Sequence, residues 1–208
     1  MATLTPSRPP VFNLPNQLTA ARLVLALVLF LLIALESWTW CLVVFTLAVI
    51  TDWLDGYLAR RQGLTSTLGR NLDPLVDKVL ISGAYIFLLP VAQTPGAGSA
   101  AGWLQPWMVT LIVARELIIT SLRSFLENRG VTFGADWLGK IKMVLQCAAL
   151  FSIFIALDAA AFATGETMHQ VLSFARTGLI WAMLAATALS GLQYLWRAAA
   201  LLKIDRDL

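Results

Sequence analysis

The stretch TDWLDGYLARRQGLTSTLGRNLDPLVDK, residues 51–78, sets four aspartates among apolar neighbours: Asp52, Asp55, Asp73 and Asp77. They lie in or beside runs of Leu, Ala, Val, Ile and Trp long enough to span a bilayer. An ionised carboxylate at the middle of a spanning helix costs roughly 2.5–3.5 kcal/mol on insertion scales. A fold that keeps four of them must supply a compensating charge.

The rest of the chain makes the membrane setting plain. Of its 208 residues 59% are hydrophobic and only 13% charged, and mean hydropathy is +0.76. These values exclude an ordinary soluble domain and leave room for one compact membrane domain. Cys41 and Cys147 both sit in apolar runs without metal-ligand spacing, so they read as packing residues that do not report a redox compartment. The N-terminus, MATLTPSRPPVFNLPNQLTAAR, is polar and proline-rich and lacks a small-residue cleavage site after a short apolar core. The first spanning helix is therefore expected to carry the targeting information.

A spanning helix needs about 20 largely apolar residues. Six such runs are present, at 20–36, 39–60, 73–92, 105–128, 138–160 and 171–198. The expected architecture is all-α, a polytopic membrane protein with six transmembrane helices. Residues 1–19 form an N-terminal and interfacial segment, 20–198 the membrane domain and 199–208 a C-terminal tail. Asn16 or Thr19 is available as a cap where the first span begins. The breaks carry turn chemistry, from Glu36-Ser37 to QTPGAGSAAG, ENRGVTFGADW and ATGETMHQ. His169 then falls in an outer loop.

Charge placement orients the bundle. Connections 36–39, 93–104 and 158–170 contain no Lys or Arg, whereas Arg8, Arg22, Arg60, Arg61, Arg70, Arg129, Lys203 and Arg206 fall towards the other side, with Arg176 the exception. Basic residues accumulate on cytoplasmic segments, so both termini and the 61–72 loop are expected there. A pI near 9.1 then reflects topology and attraction to anionic membrane lipid, and no nucleic acid partner is expected.

On a helix turning about 100° per residue, Asp52, Asp55, Gly56 and Ala59 share one face, and Asp73 and Asp77 share another at i and i+4. The short connection makes the two helices antiparallel neighbours, so four carboxylates can converge. Hard divalent cations bind carboxylate oxygens, and Mg²⁺ in particular pairs a few carboxylates with substrate phosphates. Two other readings stay open at this point: an ion pathway of a transporter, and structural pairing with Arg60, Arg61, Arg70 and Lys78. Gly56, Ala59 and Gly69 clear space beside the carboxylates for a closely approaching ligand, though small residues also mediate helix packing in membranes.

The pattern D-x2-D-G-x2-A-R-x8-G-x3-D-x3-D, running from Asp52 to Asp77, resembles the signature of the CDP-alcohol phosphotransferase family at all eight specified positions. NLPNQLTAARL at 13–23, ARELIITSLRSF at 114–125 and GKIKMVLQ at 139–146 are similar to the branch of that family whose acceptor is glycerol 3-phosphate. Met143 departs from the family's GKxKT version, but both lysines are retained. The resemblance implies transfer of a phosphatidyl group from CDP-diacylglycerol to sn-glycerol 3-phosphate, with release of CMP. It implies Mg²⁺ or Mn²⁺, two ions, held by Asp52, Asp55, Asp73 and Asp77, with Asp77 also the general base. It places Gly56, Ala59, Arg60 and Gly69 around the CDP moiety, and it implies a homodimer. In the absence of a transit peptide, the expected location is a bacterial inner membrane. Sibling enzymes using inositol phosphate, serine or phosphatidylglycerol, and a six-span ion-coupled transporter, are the alternatives.

Glycerol 3-phosphate is a dianion and needs a cationic pocket. Arg115 and Arg123 lie about 80° apart on the fourth span, two turns separated, and form a basic strip. Lys140 and Lys142 open the fifth span about 160° apart, so one of the two is expected to reach inward. Snorkelling towards the membrane surface is the competing reading for all four. Glu116 is placed either to orient this site or to pack between helices.

Overall fold

The computed structural model of the chain describes residues 14–62, 67–94, 102–127, 137–161 and 165–204, with the side chains of 55–74 and of a few helix-end residues outside that description. It holds six helices: α1 (Leu14–Ala34), α2 (Trp38–Gln62), α3 (Thr67–Gln93), α4 (Pro106–Glu127), α5 (Trp137–Ala161) and α6 (Glu166–Ile204). There is no strand among the described residues, so the all-α expectation holds.

All the helices but α4 outrun the apolar runs that announced them, because backbone hydrogen bonding continues where side-chain hydropathy stops. α1 starts at Leu14. Pro15 suits a first turn, whose N–H groups have no intrahelical partner. Asn16 and Thr19 therefore lie inside the helix, not at its cap. His169 likewise belongs to the first turns of α6 and not to a loop. Among the described residues three segments are long and apolar enough to cross a membrane: Leu75–Gln93, Trp137–Ala159 and Glu166–Ala200. The apolar parts of α1 and α2, Thr19–Ala34 and Trp38–Leu54, are shorter. In α4 the apolar sequence is interrupted by Arg115, Glu116 and Arg123.

The chain divides within α3 into two compact units, one ending at Gly83 and the other beginning at Ala84. In the first unit α1 packs on α2. Ala26, Leu29 and Ile33 are buried on α1, and Cys41, Phe45 and Ala48 on α2, both sets at helical spacing. The opposite faces expose Leu27, Leu31, Trp40 and Leu47. Helices apolar all round are the pattern of membrane segments. A Cβ at Gly83 would overlap the Phe30 ring, so the missing side chain lets these two positions of α1 and α3 come into contact. In the second unit α6 packs along both α5 and α4, burying Leu150, Ile153, Phe154, Ile180, Met183 and Leu184. Trp107 and Trp181 meet with ring centroids 6.1 Å apart. Hydroxyls inside these apolar helices are satisfied by the carbonyl one turn back, as in Thr120 to Glu116 and Thr187 to Met183. Cys41 is buried and Cys147 half-buried.

The α1–α2 turn is the Glu36-Ser37 pair that turn chemistry singles out. The Ser37 amide donates to the Leu32 carbonyl and the Glu36 amide to Ile33, both at 3.0 Å. This is the paired closure of a helix ending on a left-handed residue, and Glu36 has φ of 53°. Ser37 then accepts from the Cys41 amide at 3.0 Å to start α2. Glycine adopts that conformation without the Cβ clash that costs other residues about 1–2 kcal/mol. Glu36→Gly should therefore raise stability by about 1 kcal/mol, read as a higher Tm in detergent; a lower Tm would show that the glutamate side chain contributes more than the strain costs.

Candidate active site

A compensating charge for Asp52 and Asp77 comes from α1. Arg22 is only 1% exposed, and its Nη1 lies 3.1 Å from Asp52 Oδ1 and 2.5 Å from Asp77 Oδ1. One guanidinium nitrogen thus ties α2 to α3, and the two carboxylate oxygens are no farther apart than those two bonds laid end to end. Reading Arg22 as one more charge marking the cytoplasmic side misses this role, since it is buried within the first unit. The pairing alternatives named from the sequence were Arg60, Arg61, Arg70 and Lys78; the first three lie outside the described side chains.

The carboxylates themselves are not buried. Asp52 and Asp77 keep 35% and 29% of their side-chain surface exposed. They are therefore held from behind by Arg22 and remain open on another side. Two acidic oxygen donors converging on one cationic point suit a hard divalent ion, which takes carboxylate oxygens and water. Asp55 and Asp73 fall on α2 and α3 as the spacing requires, but their side chains, with those of Gly56, Ala59, Arg60 and Gly69, lie outside the described residues. The convergence of all four aspartates is therefore not described.

The second unit carries a separate charged cluster. Arg115 on α4 donates from Nη1 to Glu116 Oε1 at 3.1 Å and from Nη2 to Ser190 Oγ on α6 at 2.9 Å. Lys142 on α5 pairs with the same Glu116 oxygen. Arg123 donates to the Tyr194 hydroxyl, and its guanidinium lies 5.4 Å above that ring, a cation–π arrangement. Glu116 therefore joins α4 to α5, while the two arginines join α4 to α6. Gly191 makes the approach possible: a Cβ there would lie 3.4 Å from Arg115 Cγ, room for alanine and no more. Three cations against one carboxylate leave the cluster net positive, as an anion requires.

The helix period leaves open which lysine points inward. Lys142 is 5% exposed, whereas Lys140 is exposed. Gln146, one turn beyond Lys142 on the same face of α5, is buried, and its backbone carbonyl accepts from the Tyr85 hydroxyl at 3.0 Å. Arg176 is also buried, 4.6 Å from the Trp103 ring, which accounts for its place against the general charge pattern. Sequence reasoning missed Arg22 as a bridge and Ser190 and Tyr194 as partners. The available signals were a lone cation inside an apolar run and a polar i, i+4 pair in the last span.

The family model described as CDP-alcohol phosphatidyltransferase matches residues 12–189. The CDP-diacylglycerol--glycerol-3-phosphate 3-phosphatidyltransferase of Bacillus subtilis (strain 168) is 32% identical over 201 residues, covering 88% of this chain and 94% of that protein. Proteins of the same name from Pectobacterium atrosepticum and Yersinia pestis (strain Pestoides F) are 33% and 32% identical, each covering 81% of this chain and 98% and 97% of their own length.

Removing Glu116 would take away the carboxylate that the buried Lys142 and the largely buried Arg115 share. Breaking a buried pair by deleting one partner typically costs about 3–5 kcal/mol. Glu116→Ala should therefore lower thermal stability far more than Ser190→Ala, which removes one hydrogen bond to a charged group, worth about 1.5–3 kcal/mol. Equal, small losses for both variants in detergent unfolding would contradict the role given to Glu116.

Proposed function

The chain belongs to the CDP-alcohol phosphatidyltransferase family, and from that membership we propose that it transfers the phosphatidyl group of CDP-diacylglycerol to sn-glycerol 3-phosphate, giving phosphatidylglycerophosphate and CMP. The acceptor is supported by the relatives bearing that activity in their name along nearly their full length. The donor site is supported by one observation above all, the meeting of Asp52 and Asp77 from two helices on a single cation.

In this reading Asp52, Asp55, Asp73 and Asp77 hold divalent metal, two ions of Mg²⁺ or Mn²⁺. When bound, the metal supplies charge neutralisation of the diphosphate and of the departing phosphate. Gly56, Ala59, Arg60 and Gly69 border the CDP moiety. Asp77 takes the proton of the acceptor hydroxyl, which requires an approach of about 2.6–3.2 Å. The hydroxyl oxygen bonds to the phosphorus carrying diacylglycerol, the bridging P–O bond to CMP breaks, and CMP leaves with that electron pair. The remaining work is positioning, which dominates phosphoryl transfer.

Arg115, Arg123 and Lys142 bind the acceptor phosphate, with Glu116 holding Arg115 and Lys142 in place until it arrives. Lys140, on the exposed face, draws anions towards the site. The protein spans the inner membrane six times within 20–198, with both termini and the active site cytoplasmic and membrane lipid around it; the charge asymmetry of the connections supports this orientation. A homodimer rests on family resemblance.

Acceptor choice is tested by offering glycerol 3-phosphate, inositol phosphate, serine and phosphatidylglycerol to purified protein and identifying the lipid product. Glycerol 3-phosphate should be the substrate used. Arg115→Ala should raise its KM by about 10- to 150-fold, the loss of one hydrogen bond to a charged group, while the KM for CDP-diacylglycerol changes little. An unchanged glycerol 3-phosphate KM would make these arginines surface anchors, and turnover with another acceptor would reassign the product.

A further inference from the structure

Arg22 occupies a position that the metal-binding reading does not account for. Its Nη1 lies between Asp52 Oδ1 and Asp77 Oδ1 at 3.1 and 2.5 Å, it is 1% exposed, and it comes from α1, outside the 51–78 stretch. A divalent ion and a guanidinium both seek carboxylate oxygens, and each is repelled by the other at short range. We propose that Arg22 is a built-in countercation: it holds Asp52 and Asp77 together in the metal-free protein and competes with divalent metal for the same oxygens.

The geometry makes this more than a structural ion pair. Only the arginine is hidden, while both carboxylates stay about one-third exposed and so remain open to a second cation. The buried cation cannot leave for water, since α1 packs against α2 around it. The open side of the carboxylates is where an ion can arrive. Arg22 thus keeps two like charges from driving α2 and α3 apart when no ion is present, and it lowers the net negative charge that an arriving ion meets. The consequence is a site preorganised without metal whose affinity for metal is held down. Arg22 is in these terms a positioning residue, acting through Asp52 and Asp77.

The inference rests on the metal reading above, and the test separates the two. Mn²⁺ binding to the purified full chain is measured by electron paramagnetic resonance, for the wild type, Arg22→Met and Arg22→Lys, without substrate. Removing the competing cation should tighten Mn²⁺ binding by about tenfold or more, the scale of one charge-assisted hydrogen bond. By linkage, saturating Mn²⁺ should raise the Tm of Arg22→Met by more than it raises that of the wild type. Arg22→Lys keeps the charge but puts it on a stem one atom shorter, which does not reproduce the place of Nη1 between the two oxygens, so its affinity should fall between the other two. If Arg22→Met does not fold, Arg22→Lys alone decides, by binding Mn²⁺ more tightly than the wild type. Equal or weaker Mn²⁺ binding in the variants, with the wild type binding normally, overturns the competition. Absence of Mn²⁺ binding in the wild type and in both variants overturns the metal reading itself, and this inference with it.

Discussion

Charge set in an apolar helical protein has to be answered by charge, and the bridge from Arg22 to Asp52 and Asp77 is where that requirement is met most directly. Three helices, α1, α2 and α3, are tied at one point by an interaction that hydropathy alone would oppose. In lipid, helices gain little from hiding apolar surface against each other, so close packing and polar links carry more of the association. The first unit uses both: small residues at Ala26, Ala48 and Gly83, and a charged bridge among them. The second unit repeats the solution with the sign reversed, Glu116 standing between Arg115 and Lys142.

In the proposed reaction each cluster has its own part. An acidic set that remains partly open suits a cation and, through it, a diphosphate. A basic set carrying a single carboxylate suits a phosphate dianion. Replacing buried ion pairs by apolar residues often leaves stability unchanged or improves it, so stability alone gives no reason to keep such clusters. The proposed ligand binding supplies one. Serine, tyrosine and glycine then act as fittings: Ser190 and Tyr194 give the arginine forks fixed partners, and Gly191 lets the Arg115 stem lie across α6.

Much of this is legible in the residues and some is not, for identifiable reasons. Helix number and the Glu36-Ser37 turn follow from local pattern, because apolar runs and turn residues act within a few positions. The basic strip of Arg115 and Arg123 follows from periodicity, and both do face α6. The choice between Lys140 and Lys142 does not, since a helical period fixes the angle between two residues and not which of them turns inward. Arg22 escapes for a related reason: its partners are 30 and 55 positions away, and no spacing rule links residues at such separations. Asn16 and Thr19 misled as caps because Pro15, two residues into the helix, is as compatible with its first turn as with a preceding break.

The central claim is that these charged clusters serve phosphatidyl transfer from CDP-diacylglycerol to glycerol 3-phosphate. The measurement that tests it most directly follows radiolabelled glycerol 3-phosphate into lipid alongside CMP release, using purified protein in CDP-diacylglycerol micelles with divalent metal and then with a chelator. The account predicts equal amounts of labelled lipid and CMP, both lost on chelation and restored by added metal. CMP release without labelled lipid, or labelling that persists when metal is removed, would contradict it.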